Sequence, residues 1–321
     1  MRDAAIAVRS TGINVKLRDS WDFSAAAPIV HHWGMGYSHI ENIIWAKQSG
    51  QKVVLTVLLP YLPSTYSRVR GWVGRLISKG RIDRRSLLMA DKVVVVNDLQ
   101  AEIAHVCYGV PRNNVAIIPN IVSSSFFENA NSSLMSNYWV IAGSICRRKN
   151  QLNAAKAAVK AGIKLVIVGH ALPGEARYAN ELGDFANMHS SLITCLPGMD
   201  RDSPEYIRLL RNAKGLLLPS RMEQQPIIAL EMGVLQKPVI LGDVDYAYQA
   251  SFIGAALAPT ESVNAIAEVL RQIDKGNSQG YLRADMKQFS ESAVGSSYAD
   301  IYLSLSGGIP PMQANGSSRR I

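Results

Sequence analysis

Short apolar runs alternate with stretches of helical periodicity along most of the chain, and the clearest instance lies between positions 215 and 241. Gly215-Leu216-Leu217-Leu218 reads as a buried parallel strand. Pro219-Ser220-Arg221 breaks it into a loop, and Pro226 suits the first turn of a helix because its fixed φ fits there and its missing N–H costs nothing. Ile227, Ile228, Leu230 and Val234 give that helix an apolar face. Gly233 and Gln236-Lys237-Pro238 mark its end, and Val239-Ile240-Leu241 starts the next strand. This is a βαβ unit whose loop lies at the carboxyl edge of a sheet, where open α/β sheets bind ligands.

The same alternation predicts strands at 13–17, 28–33, 52–58, 93–96, 114–118, 138–142, 164–168 and 192–196. It predicts helices at 4–9, 39–49, 99–108, 151–161, 203–213, 266–273 and 292–305. The fold class expected is therefore α/β. The 321 residues allow about two domains. A polar stretch at 123–136 reads as the linker between a first domain, 1–122, and a second, 137–305. The Gly-, Pro- and Ser-rich tail, 306–321, is expected to be disordered.

Composition narrows the class. A hydrophobic content of 48% suits a globular protein. The apolar run around 53–59 is far short of the roughly 20 residues of a membrane span. Cys107, Cys146 and Cys195 match no metal spacing and no disulfide framework, as expected of a reducing cytoplasm. The net charge of +9 is unevenly placed. Arg68, Arg70, Arg75, Lys79, Arg81, Arg84 and Arg85 crowd the segment 66–85, with Trp72, Val73, Leu76 and Ile77 interleaved at helical spacing. Such a segment either lies on an anionic membrane surface or packs its apolar stripe on its own domain. No nucleic-acid motif accompanies it, and nucleic acid is not expected as a partner.

Candidate chemistry gathers at strand ends. Glu223 falls on the loop before Pro226, and Glu231, eight positions on, inside the helix. A helix start offers N–H groups and a positive dipole end to a phosphate, beside which a carboxylate can accept hydrogen bonds from sugar hydroxyls. Gly143-Ser144-Ile145-Cys146-Arg147-Arg148-Lys149-Asn150, a glycine at a strand end followed by a basic loop, is a plausible diphosphate cradle. His31-His32 at a strand end suits a general base or a sugar-hydroxyl contact. Two Asp-x-Asp triplets, Asp200-Arg201-Asp202 and Asp243-Val244-Asp245, raise a divalent-metal reading, although the first precedes a Ser-Pro helix start that favours acids anyway.

Ser220-Arg221-Met222-Glu223, Pro226-Ile227-Ile228-Ala229-Leu230-Glu231 and Lys237-Pro238-Val239-Ile240 together resemble the Glu-x7-Glu signature of GT-B retaining glycosyltransferases of family four. Weaker marks recur in order: the His-containing strand end at 28–34, Ala90-Asp91 before a buried strand ending in Asn97, Pro119-Asn120, the basic loop at 143–150 and the Val168-Gly169 turn. The resemblance implies two Rossmann-like domains facing across a cleft, the first one shortened because the family's opening strand and Gly-rich loop have no counterpart before 4–9. It implies transfer of a sugar from a nucleotide diphosphate sugar to an acceptor hydroxyl, with no cofactor or metal. Polysaccharide or lipopolysaccharide assembly on the inner membrane face is the setting it suggests, with a carbohydrate or lipid-linked acceptor.

On this resemblance Lys149, with Arg148 and the helix start at Ile227-Ile228, holds the departing diphosphate. Glu231 takes the ribose hydroxyls, Glu223 orients the donor sugar, and Gly143, Ser144, Gly169, Ser220, Arg221 and Pro226 complete the donor site. His32 stands on the acceptor side. The chain departs from the pattern with Leu58 where the family has His, Ser144 for Arg and Gln224-Gln225 for Gly and an aromatic residue. These departures keep open a nucleotide-binding relative without transfer activity. An epimerase acting on the nucleotide sugar itself is a third expectation.

Overall fold

The structure, a computed structural model, describes residues 1–17, 27–35, 37–59, 82–128, 136–276 and 279–307. Two compact units result. One runs from Met1 to Ile121 and takes in the chain again from Gln288, and the other is Val122–Lys287.

In the first unit β1 (Ile29–Trp33), β2 (Lys52–Thr56), β3 (Lys92–Val95) and β4 (Val115–Ile117) pair in that order, all parallel. Val53, Val54, Leu55 and Val93–Val95 are wholly buried, as near-continuous apolar strands in a covered parallel sheet must be. Helices α1 (Arg2–Arg9), α2 (Tyr37–Gln48), α3 (Ile82–Met89) and α4 (Asp98–Tyr108) belong to the same unit. The start of α4 is set by Asn97, whose side chain accepts from Gln100 N–H, and its end by Gly109 at φ 78°. The segment 13–17, expected as a strand, pairs with no other among the described residues. Ile13 and Val15 pack on the core while Leu17 stays exposed, and Val15 O accepts from Arg9 Nε at 2.8 Å.

The chain's last described helix, α11 (Glu291–Leu305), also lies in this unit, so the expected second domain, 137–305, loses its final element. Ala4, Ala7 and Val8 of α1 share a core with Val294, Tyr298 and Ile301 of α11. The helices meet at Gly295, where a Cβ would sit 2.3 Å from Ala7 O; only glycine permits this approach.

His31 cements α11 to the sheet. Its Nδ1 is 2.5 Å from the Tyr302 hydroxyl, its Nε2 is 2.8 Å from Thr56 Oγ1, and its ring stacks on Trp33. Burial, helped by neighbouring His32, lowers its pKa from 6.5 to about 3. The folded state thus keeps His31 neutral while the unfolded chain gains a proton below pH 6.5. Stability drains by about 1.4 kcal/mol per pH unit from there down to the folded value. Thermal melts between pH 7 and 4 are expected to show this slope, and His31→Gln to flatten it. An unchanged slope in the variant would remove His31 as its source.

The second unit is a single parallel sheet in the order β10-β9-β8-β5-β6-β7. Its strands are β5 (Trp139–Ala142), β6 (Leu165–Val168), β7 (Ile193–Leu196), β8 (Leu216–Leu218), β9 (Val239–Gly242) and β10 (Ala256–Ala258). The helices are α5 (Ser124–Phe127), α6 (Gln151–Ala161), α7 (Ala176–Met188), α8 (Pro204–Asn212), α9 (Ile227–Val234) and α10 (Val263–Asp274). Winding runs outward from β5 through β6 and β7, then returns to β8 on its other side. The order reverses between β5 and β8, and a doubly wound sheet binds its ligand at such a reversal.

Capping places the surrounding helices. Ser203 accepts from Tyr206 N–H ahead of Pro204, and Ser262 accepts from Ala265 N–H. The expected linker is partly structured: Phe126 of α5 is buried, and Arg211 Nη2 donates to Ser125 O at 2.5 Å and Glu128 O at 2.9 Å. Its positions 129–135 lie outside the described residues, as do 66–81 of the basic segment and 308–321 of the tail.

Candidate functional site

The loops that leave β5 and β8 are the ones the reversal brings together. Arg221 N–H donates to Arg148 O at 2.8 Å, and Asn150 Nδ2 donates to Pro219 O and Thr260 O at 3.1 and 2.8 Å. Asn150 holds a left-handed φ of 61°, which Asn tolerates better than most residues, and so turns the basic loop into α6. Gly143, at φ 132°, opens that loop with the Lys149 stem across it; a Cβ at 143 would stand 3.1 Å from Lys149 Nζ. Gly169, at the end of β6, presses on the same loop, since its own Cβ would lie 2.0 Å from Gly143 O. Glycine is required at 143 for conformation and at 169 for space.

Glu223 is the centre of charge. Its Oε1 takes Lys149 Nζ at 2.9 Å and the Ser220 hydroxyl at 3.0 Å, and its Oε2 takes Arg148 Nη1 at 3.0 Å. Glu223 is buried and Ser220 wholly so, whereas Lys149 and Arg148 keep 12% and 38% of their side chains exposed. Two cations on one carboxylate leave a surplus positive charge at the solvent side. Pro226 stands at the N-cap of α9, with Ile227 and Ile228 opening the helix, so this helix start belongs to the same loop. The arrangement suits an anion such as a diphosphate. Ser144 contributes its carbonyl, which accepts from Gln151 Nε2 at 2.9 Å.

Two candidate residues are engaged elsewhere. Glu231 is wholly buried; its Oε1 pairs with Arg201 Nε at 2.7 Å and its Oε2 accepts from the Tyr206 hydroxyl at 2.9 Å. Burial pushes the Glu231 carboxyl up, against the pull of Arg201 and of the Tyr206 hydroxyl. Glu231, which the resemblance assigns to the ribose hydroxyls, is held in an ion pair, because α9 turns its side chain inward toward α8 and the loop before it. Arg221 turns its guanidinium to Glu261, at 2.7 and 3.0 Å, and to Arg147 O at 3.1 Å. Its main chain, through Arg148 O, and its guanidinium, through Arg147 O, both tie the two loops together.

His32 is the next-to-last residue of β1 in the first unit and is half-buried. Asp200 accepts from Asp202 N–H and Asp243 from the Tyr248 hydroxyl, and among the described residues no three His, Cys, Asp or Glu side chains gather in a metal-holding group. Sequence reading missed Arg201 and Tyr206. Arg201 stood in view between two aspartates, yet no spacing rule ties it to a glutamate thirty positions on.

These units and loops define the fold of the GT-B glycosyltransferases. The chain is similar to Anabaena HepE solved with UDP and glucose, at 15% identity and a TM-score of 0.64, over 86% of this chain and 78% of that one. A Rickettsia africae glycosyltransferase matches over 95% of this chain and 80% of its own, at 13% identity and a TM-score of 0.61. A UDP-forming trehalose-phosphate synthase from Burkholderia xenovorans, solved with glucose-6-phosphate, matches over 87% and 73% at 13% identity and a TM-score of 0.64. No protein-family model and no curated protein matches the chain.

Proposed function

We propose that this chain transfers a sugar from a nucleotide diphosphate sugar to an acceptor hydroxyl with retention of anomeric configuration. The observation that carries the reading is the Lys149–Glu223–Arg148 cluster beside the start of α9, at the reversal of the second sheet. Neighbours of the same fold were solved with UDP or UDP-glucose, which makes a uridine donor the first to try. The C–O bond between the anomeric carbon and the diphosphate breaks through an oxocarbenium-like state, as in glycoside hydrolysis. The acceptor oxygen forms the new bond and its proton passes to the departing diphosphate. Fixed positive charge at that leaving group lowers the barrier without reorganisation, and Lys149, Arg148 and the helix start supply it with no need of a metal. On donor binding the two cations pass from Glu223 to the diphosphate, and Glu223 is released to accept from donor-sugar hydroxyls.

The test is turnover of UDP-, GDP- and ADP-linked hexoses with carbohydrate and lipid-linked acceptors. Equal amounts of nucleoside diphosphate and glycoside support transfer. Release of nucleoside diphosphate with no acceptor present would point to an epimerase. Binding without any turnover would favour the second reading, a nucleotide-binding relative, to which Leu58, 55% exposed just past β2 where the family has His, lends its weight.

We place the acceptor on a membrane-bound carrier, in polysaccharide or lipopolysaccharide assembly at the inner face of the membrane. The support is the basic composition of 66–85. Among the described residues no helix is long and apolar enough to cross a membrane. Sedimentation with anionic vesicles at physiological salt checks the surface contact, and failure to co-sediment would remove it.

A further inference from the structure

Arg201 has no part in the donor site just described, yet it covers the one carboxylate that the site leaves sealed. Glu231 has no exposed side-chain surface, and Arg201, 28% exposed, is the side chain that pairs with it from the solvent side. Tyr206 seals the other oxygen and is itself 7% exposed, with its ring edge-on to Phe126 of α5. The two partners differ in how they are held. Tyr206 lies in the first turn of the capped helix α8, whereas Arg201 rides the loop between β7 and Ser203. That loop leaves the carboxyl end of β7, on the same sheet edge as the loops that carry Lys149 and Glu223. Arg201 is therefore the partner that can leave.

We propose that Arg201 is the specificity-determining latch of the ribose subsite: its guanidinium holds Glu231 Oε1, and a nucleotide gains that oxygen only by displacing it with its vicinal ribose hydroxyls. This rests on the donor-site reading above. A ligand without those hydroxyls has nothing to offer Glu231, and leaves the Arg201–Glu231 pair closed. The exchange is chemically matched, because two hydroxyl donors replace the donor that departs, and the freed guanidinium stays beside an anionic ligand. No bond is made or broken.

The experiment is calorimetric titration of wild type, Arg201→Gln and Arg201→Lys with UDP, GDP and ADP and with the 2′,3′-dideoxy form of whichever binds. The ribose-containing nucleotide is expected to gain about tenfold in affinity in Arg201→Gln, because the close ion pair no longer has to be broken. The dideoxy form is expected to change less than about twofold, so the ratio between the two widens. Arg201→Lys keeps the charge over Glu231 and guards against a folding defect in the first variant; it should widen the ratio less, in the same direction. A merely structural ion pair would move both ligands together, and an unchanged or narrowed ratio overturns the latch while leaving the donor site standing. Should none of the three nucleotides bind wild type or either variant, the donor-site reading itself falls, and the latch with it.

Discussion

Lys149→Ala is expected to weaken nucleoside diphosphate binding about 100-fold, the loss of one strong charge-assisted contact of about 3 kcal/mol. Lys149 is the better-buried of the two cations, and a Cβ at Gly143 would touch its ammonium, so the loop is shaped around it. Folding should suffer less, by about 2 kcal/mol, because Glu223 is left with Arg148 and Ser220 rather than alone. Calorimetry with the nucleotide and a thermal melt separate the two effects. A variant that binds as wild type does would remove Lys149 from the site. Arg148→Ala, at the more exposed partner, is expected to lose less.

The second large effect is at Gly169, where space rather than charge is tested. An alanine there would drive its Cβ to 2.0 Å from Gly143 O and 3.0 Å from Gly143 C, both backbone atoms that cannot rotate aside. The loops after β5 and β6 must part, at a cost of about 3 kcal/mol or more, and Lys149 moves with the first of them. Gly169→Ala is therefore expected to lower both melting temperature and nucleotide affinity, the latter by more than about tenfold. Gly174 offers the control. It has φ 84° and nothing within 4 Å, so Gly174→Ala should cost only the left-handed strain of about 1 kcal/mol and leave binding alone. Equal behaviour of the two variants would show that the contact between the loops does not hold the site.

The part of the fold that could be read from sequence is the part whose burial is one-dimensional. Leu216–Leu218 and Val239–Leu241 are wholly buried on both faces, so a plain apolar run announces each strand, and Pro226 announces the helix between them. The helix α7 is harder to read although Tyr178, Leu182 and Ala186 recur every four positions, because charged and amide residues make up half of the rest of it. The motif and the glycine at 143 draw attention to Lys149 and Glu223, which the structure pairs. The pairing of Glu231 with Arg201 has no such mark, since a carboxylate on an apolar helix has the same sequence whatever it pairs with. The two histidines show the same limit. Adjacent positions on a strand face opposite sides, and His31 enters a hydrogen-bond network with a tyrosine 271 positions away. Long-range partners of this kind leave no local trace.

The most direct measurement of the central claim, a nucleoside diphosphate site at the reversal of the second sheet, is calorimetric titration of the whole protein with UDP, GDP and ADP. The account predicts saturable one-to-one binding of at least one of them, weakened in Lys149→Ala. Absence of binding by all three, or binding that Lys149→Ala leaves untouched, would contradict it.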